Sequence, residues 1–308
     1  AKSVLANIVK DANRKAIYDE YVERKGDIIT GTVLQVTKDF TVIKILEGVE
    51  AELPHYDRRA ASRNKKLKYV NERPSNERYR HNQRLKVLIL DVIDPDDPNQ
   101  KFDNSRPNII VSRNRTAFIK RLFENEVPEI FDGLVEIKSV AREPGARTKI
   151  AVASREVNLD PVGACVGPKG SRVRGVVDEL RNERVDIIQW DSDPAKYISA
   201  ALSPAKISKV LIDEEEQHAT VIVSDDQLSL AIGKNGQNAR LAARLTGWHI
   251  DIKSQNFSGE PFEEEEEVAA EQASEDATCA YVSEAGVRCR NHARPGSKYC
   301  GIHKDQEK

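Results

Sequence analysis

The chain has 308 residues, and with 39% apolar and 32% charged residues it is too polar for one large globule, so several smaller units are expected. Lys and Arg total 48 against 50 for Asp and Glu, yet the charge is segregated: residues 58–86 carry eleven Lys/Arg against Glu72 and Glu77, whereas 260–276 carry nine acidic residues and no basic one. No apolar run reaches the ~18 residues of a membrane span, and four cysteines are too few to frame a disulfide-built chain of this length.

Ala1–Lys10 has no signal core, so a cytoplasmic location with reduced thiols is expected. Methionine is absent even at position 1, and a piece of a longer protein is expected.

Residues 1–25 place Val4, Leu5, Ile8, Val9, Ala12, Ala16 and Ile17 at helical spacing, which predicts a helix that needs a partner surface. Over 26–114 the β-branched segments 28–36 and 40–46, followed by 50–54, 85–92 and 108–112, predict five short strands with one long basic insertion. That pattern fits an OB-type β-barrel. Residues 115–192 and 193–254 then repeat one order about seventy residues apart: helix, hairpin, short helix, G-x-x-G, helix, strand. Two copies of a compact α+β unit are expected. An acidic linker over 255–276 and a small Cys/His module over 277–308 follow.

A lone G-x-x-G marks little more than a turn before a helix. Here Gly167-Pro168-Lys169-Gly170 and Gly233-Lys234-Asn235-Gly236 sit at equivalent places in the repeat, each with a lysine inside. Glycine lets a phosphate backbone come close, and the following helix N-terminus offers N–H groups and positive dipole. Lys169, Lys234, Arg172 and Arg240 add charge without reading sequence. This is the logic of KH domains, which clamp about four nucleotides of single-stranded RNA.

The segments Asp160–Gly167, Gly170–Val173, Ile187–Trp190, Leu202–Pro204, Asp225–Gly233, Gly236–Ala242 and Leu245–Ile252 resemble the NusA family of bacterial transcription elongation, termination and antitermination factors. The resemblance covers roughly residues 1–254. It implies an S1 barrel over 26–114, ending in Ser112-Arg113, then two type II KH domains over 115–192 and 193–254. It also makes 1–25 the helix that joins to an N-terminal, polymerase-binding domain. The implied partners are single-stranded nascent RNA, RNA polymerase (mainly through that N-terminal domain) and other antitermination proteins. A monomer without enzymatic activity is expected.

Other readings stand beside this one. A phosphorolytic ribonuclease carries the same modules in the order KH then S1, behind catalytic domains that do not fit this length. An RNA chaperone acting in translation or ribosome assembly would use the same modules. Asp225-Asp226 is the one adjacent Asp pair near a glycine loop and reads as a helix cap rather than a metal site. In the basic insertion, Lys65, Lys66 and Lys68 are candidate phosphate contacts and Tyr56, Tyr69 and Tyr79 candidate stacking rings, against the plainer reading of a solvated loop. Cys279, Cys289, Cys300 and His303 form a Cys₃His set for one structural zinc, with His292 a rival ligand. Cys165 reads as a small packed residue.

Overall fold

The computed structural model describes residues 2–55, 71–97, 106–255 and Cys289, with only the backbone given for 2–11. The residues up to 257 form one unit and 258–308 another. Lys65, Lys66, Lys68, Tyr56, Tyr69, Cys279, Cys300, His292 and His303 lie outside the described residues.

Helix α1 (Lys2–Tyr21) precedes a closed barrel of β1 (Ile28–Val36), β2 (Phe40–Leu46), β3 (Val49–Pro54), β4 (Arg84–Val92) and β5 (Ile109–Ser112). The strand order is β1-β2-β3-β5-β4, closed by antiparallel β1–β4 pairing, with a parallel β3–β5 contact. Alternation along β1 sends Ile29 and Val33 inward beside Ile43, Leu53, Val87 and Ile109. Ile17 and Tyr21 of α1 join that core, which supplies the partner surface the helix lacks.

The first KH unit comprises α2 (Thr116–Glu126), α3 (Pro128–Phe131), β6 (Val135–Glu143), β7 (Arg147–Ser154), α4 (Pro161–Val166), α5 (Ser171–Glu179) and β8 (Arg184–Gln189). The second comprises α6 (Pro194–Ala201), β9 (Lys209–Asp213), β10 (His218–Val223), α7 (Asp225–Ile232), α8 (Gln237–Thr246) and β11 (His249–Ser254). In each sheet the central strand pairs antiparallel with its hairpin partner and parallel with the last strand, the type II arrangement.

Local chemistry sets the helix starts. Asp160 and Asp193 are N-caps that accept from Val162 and Ala195 N–H, each with proline at the next position. Ser224 occupies the N-cap of α7 without a side-chain cap bond to a backbone N–H, its side chain bonding that of Asp226 instead. Asp225 and Asp226 fall in the first turn, where their charge suits the dipole, so the expected cap is instead a pair of first-turn acids.

The units are welded together. Arg113 is fully buried between barrel and first KH unit. Its Nε and Nη2 donate to Glu77 at 2.8 and 2.9 Å, its Nη1 to Glu179 at 2.8 Å and to Lys86 O, and its Nη2 to Glu179 O at 2.7 Å. All five guanidinium donors are thus used. Leu88 of the barrel packs with Phe118 and Leu122 of α2. Tyr79 is also buried here, with its hydroxyl donating to Glu77, so the ring expected to stack on bases is part of the junction.

Between the KH units one apolar core is shared. Ala141, Ala151 and Ile188 of the first sheet pack with Tyr197, Ile198, Leu241 and Leu245 of the second unit. Ser139 Oγ donates to Leu245 O at 2.8 Å and contacts Tyr197 OH at 2.8 Å, and Lys149 Nζ donates to Ser203 O at 2.9 Å.

Candidate nucleic-acid interface

The two glycine loops have nearly the same backbone. Gly167 and Gly233 adopt φ/ψ of 72/173° and 74/170°; Lys169 and Asn235 adopt 52/27° and 54/29°; Gly170 and Gly236 adopt 75/19° and 72/14°. Each loop is closed by a bond from its last glycine N–H to its first glycine carbonyl, at 3.0 and 3.1 Å. Lys169 and Asn235 are non-glycine residues held left-handed, a strained state that the fold maintains at the exposed tip of each loop.

The glycines in each loop do different work. A Cβ at Gly233 would lie 2.7 Å from Asn238 Cβ and 2.9 Å from its backbone N, so this glycine is needed for packing against α8. A Cβ at Gly236 would meet nothing closer than 4.0 Å. The second glycine therefore opens toward solvent, where a phosphate can approach. Of the two glycines expected to admit a phosphate, the first serves the protein's own packing.

Pro168, Lys169, Lys234 and Asn235 are exposed around these openings. Arg172 and Arg240 are less alike than their motif suggests. Arg172 stands two residues past its loop, with Nη1 donating to Ala164 O at 2.6 Å and to Glu129 at 2.9 Å. Its counterpart two residues past the second loop is buried Asn238, whose Nδ2 donates to Leu202, Ala231 and Leu230 carbonyls at 2.8, 3.1 and 3.3 Å. Both side chains tie the helix after the loop to the helix before it. Arg240 stands four residues past its loop; its counterpart, exposed Arg174, was missed because the motif alone does not give the spacing. Arg240 Nε donates to Glu143 at 2.6 Å and its Nη1 to Asn235 O at 3.2 Å, so it touches the loop itself. That bond holds the Glu143 carboxyl below its usual range.

Cys165 is buried and its thiol is pushed up to about 12 by burial, as a packed apolar residue requires. Among the described residues, no helix is long and apolar enough to cross a membrane.

Comparison with known proteins places these loops in context. Residues 113–190 match the NusA-like first KH domain, and residues 194–259 match the NusA-like second KH domain, so each matched segment contains one glycine loop. The transcription termination/antitermination protein NusA of Mycobacterium bovis is 42% identical over 258 residues, 82% of this chain and 69% of that protein. The chain belongs to the NusA family. The NusA of Bacillus subtilis is 48% identical over 260 residues, covering 84% of this chain and 64% of its own length. The NusA of Thermus thermophilus is 40% identical over 259 residues, 83% of this chain and 60% of its own. The chain thus spans a little under two thirds of these last two NusA proteins. The barrel followed by two KH units agrees with the order expected for NusA.

Proposed function

We propose that this chain is the RNA-gripping part of a transcription termination/antitermination factor, holding single-stranded nascent RNA in both glycine loops while RNA polymerase transcribes. The near-identity of the two loop backbones carries this reading. Family membership supports it, because the relatives are named as termination/antitermination proteins. Pro168, Lys169 and Gly170, with Lys234, Asn235 and Gly236, approach the phosphates, while Gly167 and Gly233 pack each loop against the helix that follows it. Arg174 and Arg240 add charge beside them. No enzymatic step is required of the chain, whose part in the proposed function is to hold RNA while polymerase and other antitermination proteins act on the same transcript.

One loop gripping about four nucleotides binds weakly; two on one scaffold make the second contact intramolecular and raise avidity by ~10²-fold or more. The double substitution Pro168→Asp/Lys169→Asp, or Lys234→Asp/Asn235→Asp, places negative charge where phosphate must sit. Each costs most of the affinity for an RNA of about ten nucleotides at moderate salt, and combining them adds little. Parent-like binding by either variant contradicts the reading and shifts the main site to the basic insertion with Lys65, Lys66 and Lys68.

The tail belongs to the proposal as a separate zinc module, with Cys279, Cys289, Cys300 and His303 as ligands; of these only Cys289, partly exposed, is among the described residues. A chain of about thirty residues gains most of its folding free energy from such a metal. Metal analysis of the purified chain gives zinc that is lost in Cys300→Ser and in His303→Ala. Loss on His292→Ala with retention in His303→Ala assigns the rival ligand instead.

A further inference from the structure

A second cluster, separate from the glycine loops, has metal-ligand chemistry. β10 and β11 run parallel with His218 opposite His249 and Thr220 opposite Asp251. Side chains alternate along a strand, so His218, His249 and Asp251 share one face. Ala219 and Val221 point the other way, into the core against α8. The cluster therefore lies on the outer face of the sheet, turned from the helices that carry the loop. His218 Nε2 is 3.2 Å from Asp251 Oδ2, and the two imidazole rings stack with centroids 6.0 Å apart. One ligand atom from each of the three residues lies within 4.8 Å of the others. Nitrogen and oxygen ligands bound at ~2.0–2.2 Å sit roughly 3–3.4 Å apart around one ion, so His218 and Asp251 already have that spacing and His249 reaches it by a small rotation.

The first KH unit gives the control. In the same register it has Arg147 opposite Arg184, and Lys149 opposite Asp186. Asp186 accepts from Arg147 at 2.7 Å and lies 3.3 Å from Lys149. The first unit thus balances its carboxylate with an arginine and a lysine. The second unit has imidazoles at both arginine positions and Thr220 at the lysine position. Asp213 pairs opposite His218 on the other side, and the exposed turn Glu214–Glu216 adds further negative charge. That field favours a cation over RNA. Imidazole nitrogens favour a borderline transition metal over calcium or magnesium.

We propose that His218, His249 and Asp251 bind one divalent transition metal ion, zinc foremost, with water completing its shell.

The probe is zinc chloride added to the chelator-treated full chain, with bound zinc measured by equilibrium dialysis. His249→Ala and Asp251→Asn are expected to lose one zinc site each, with affinity down about tenfold or more, while Cys300→Ser keeps it. Unchanged zinc binding in both sheet variants overturns the proposal. A second readout needs no variant: cobalt(II) added to saturation to the chelator-treated parent should fill this exposed site and broaden the amide NMR signals of Thr220 and Ile250. Unbroadened signals at those amides, with cobalt bound elsewhere, overturn it as well.

Discussion

Arg240 Nε of the second KH unit lies 2.6 Å from Glu143 of the first, and the same arginine donates to Asn235 O in the second glycine loop. A carboxylate from one KH unit therefore holds a cation beside the glycine loop of the other. Gln237 donates to the same carboxylate at 2.8 Å. An incoming phosphate competes with Glu143 for Arg240. Glu143→Gln should tighten RNA binding by about two- to fivefold at low salt, the range of an exposed ion pair. The slope of log affinity against log salt should steepen as Arg240 engages phosphate. Weaker binding in a filter or anisotropy titration contradicts this competition.

The unequal glycines predict a split between stability and binding. Gly233→Ala drives a methyl group against Asn238, including its backbone, and should lower the melting temperature of the second unit markedly. Gly236→Ala meets open space and bears mainly the strain of φ 72°, about 1 kcal/mol. Its expected effect is a clear loss of RNA affinity with a small thermal shift. Calorimetry and RNA titration of the two variants give opposite rankings if this holds.

Arg113 makes the third prediction. Removing one partner of a buried, fully bonded ion pair costs about 3–5 kcal/mol, because the other charge stays buried. Arg113→Met should uncouple the barrel from the first KH unit, seen as a separate, earlier unfolding transition. Arg113→Lys should rescue little, since an ammonium cannot meet Glu77 and Glu179 in the planar fork geometry.

Much of this fold was legible because its signals are local. β-branched runs marked most of the barrel strands, and the repeat of hairpin, glycine loop and helix marked both KH units. The welds were not legible. Arg113 reaches Glu77 and Glu179 across 36 and 66 residues, which leaves no period in the sequence. For the same reason the basic insertion misled in its second half: Glu72, Glu77 and Tyr79 are buried, and Glu72 accepts from Arg115 at 2.9 Å. Arg172 read as a phosphate contact because charge next to a glycine loop suggests one, yet only packing reveals that Glu129 and Ala164 hold it.

Lys149 gives a pH prediction. Burial pulls its ammonium down to about 8 from the ordinary 10.5, against the opposing pull of Asp186. Between those values the unfolded chain keeps a proton that the folded chain has released. The unfolded state binds more protons there, so this residue's contribution to stability rises with pH across roughly 8 to 10.5 and is flat below. Measured as the difference between parent and Lys149→Met in urea midpoints, the parent should gain on the variant through that window. A difference independent of pH means that Lys149 keeps its charge in the fold.

The core shared by Ala151, Ile188, Leu241 and Leu245 fixes how far apart the two glycine loops, the proposed grips, stand. A pair of jaws that cannot slide works as a gauge. An RNA with too few nucleotides between its gripped stretches must release one jaw, and one with too many must loop out the excess. On the proposed function, the chain would sort transcripts by the spacing of their unpaired stretches, and a hairpin forming between the jaws would eject the RNA without touching either loop.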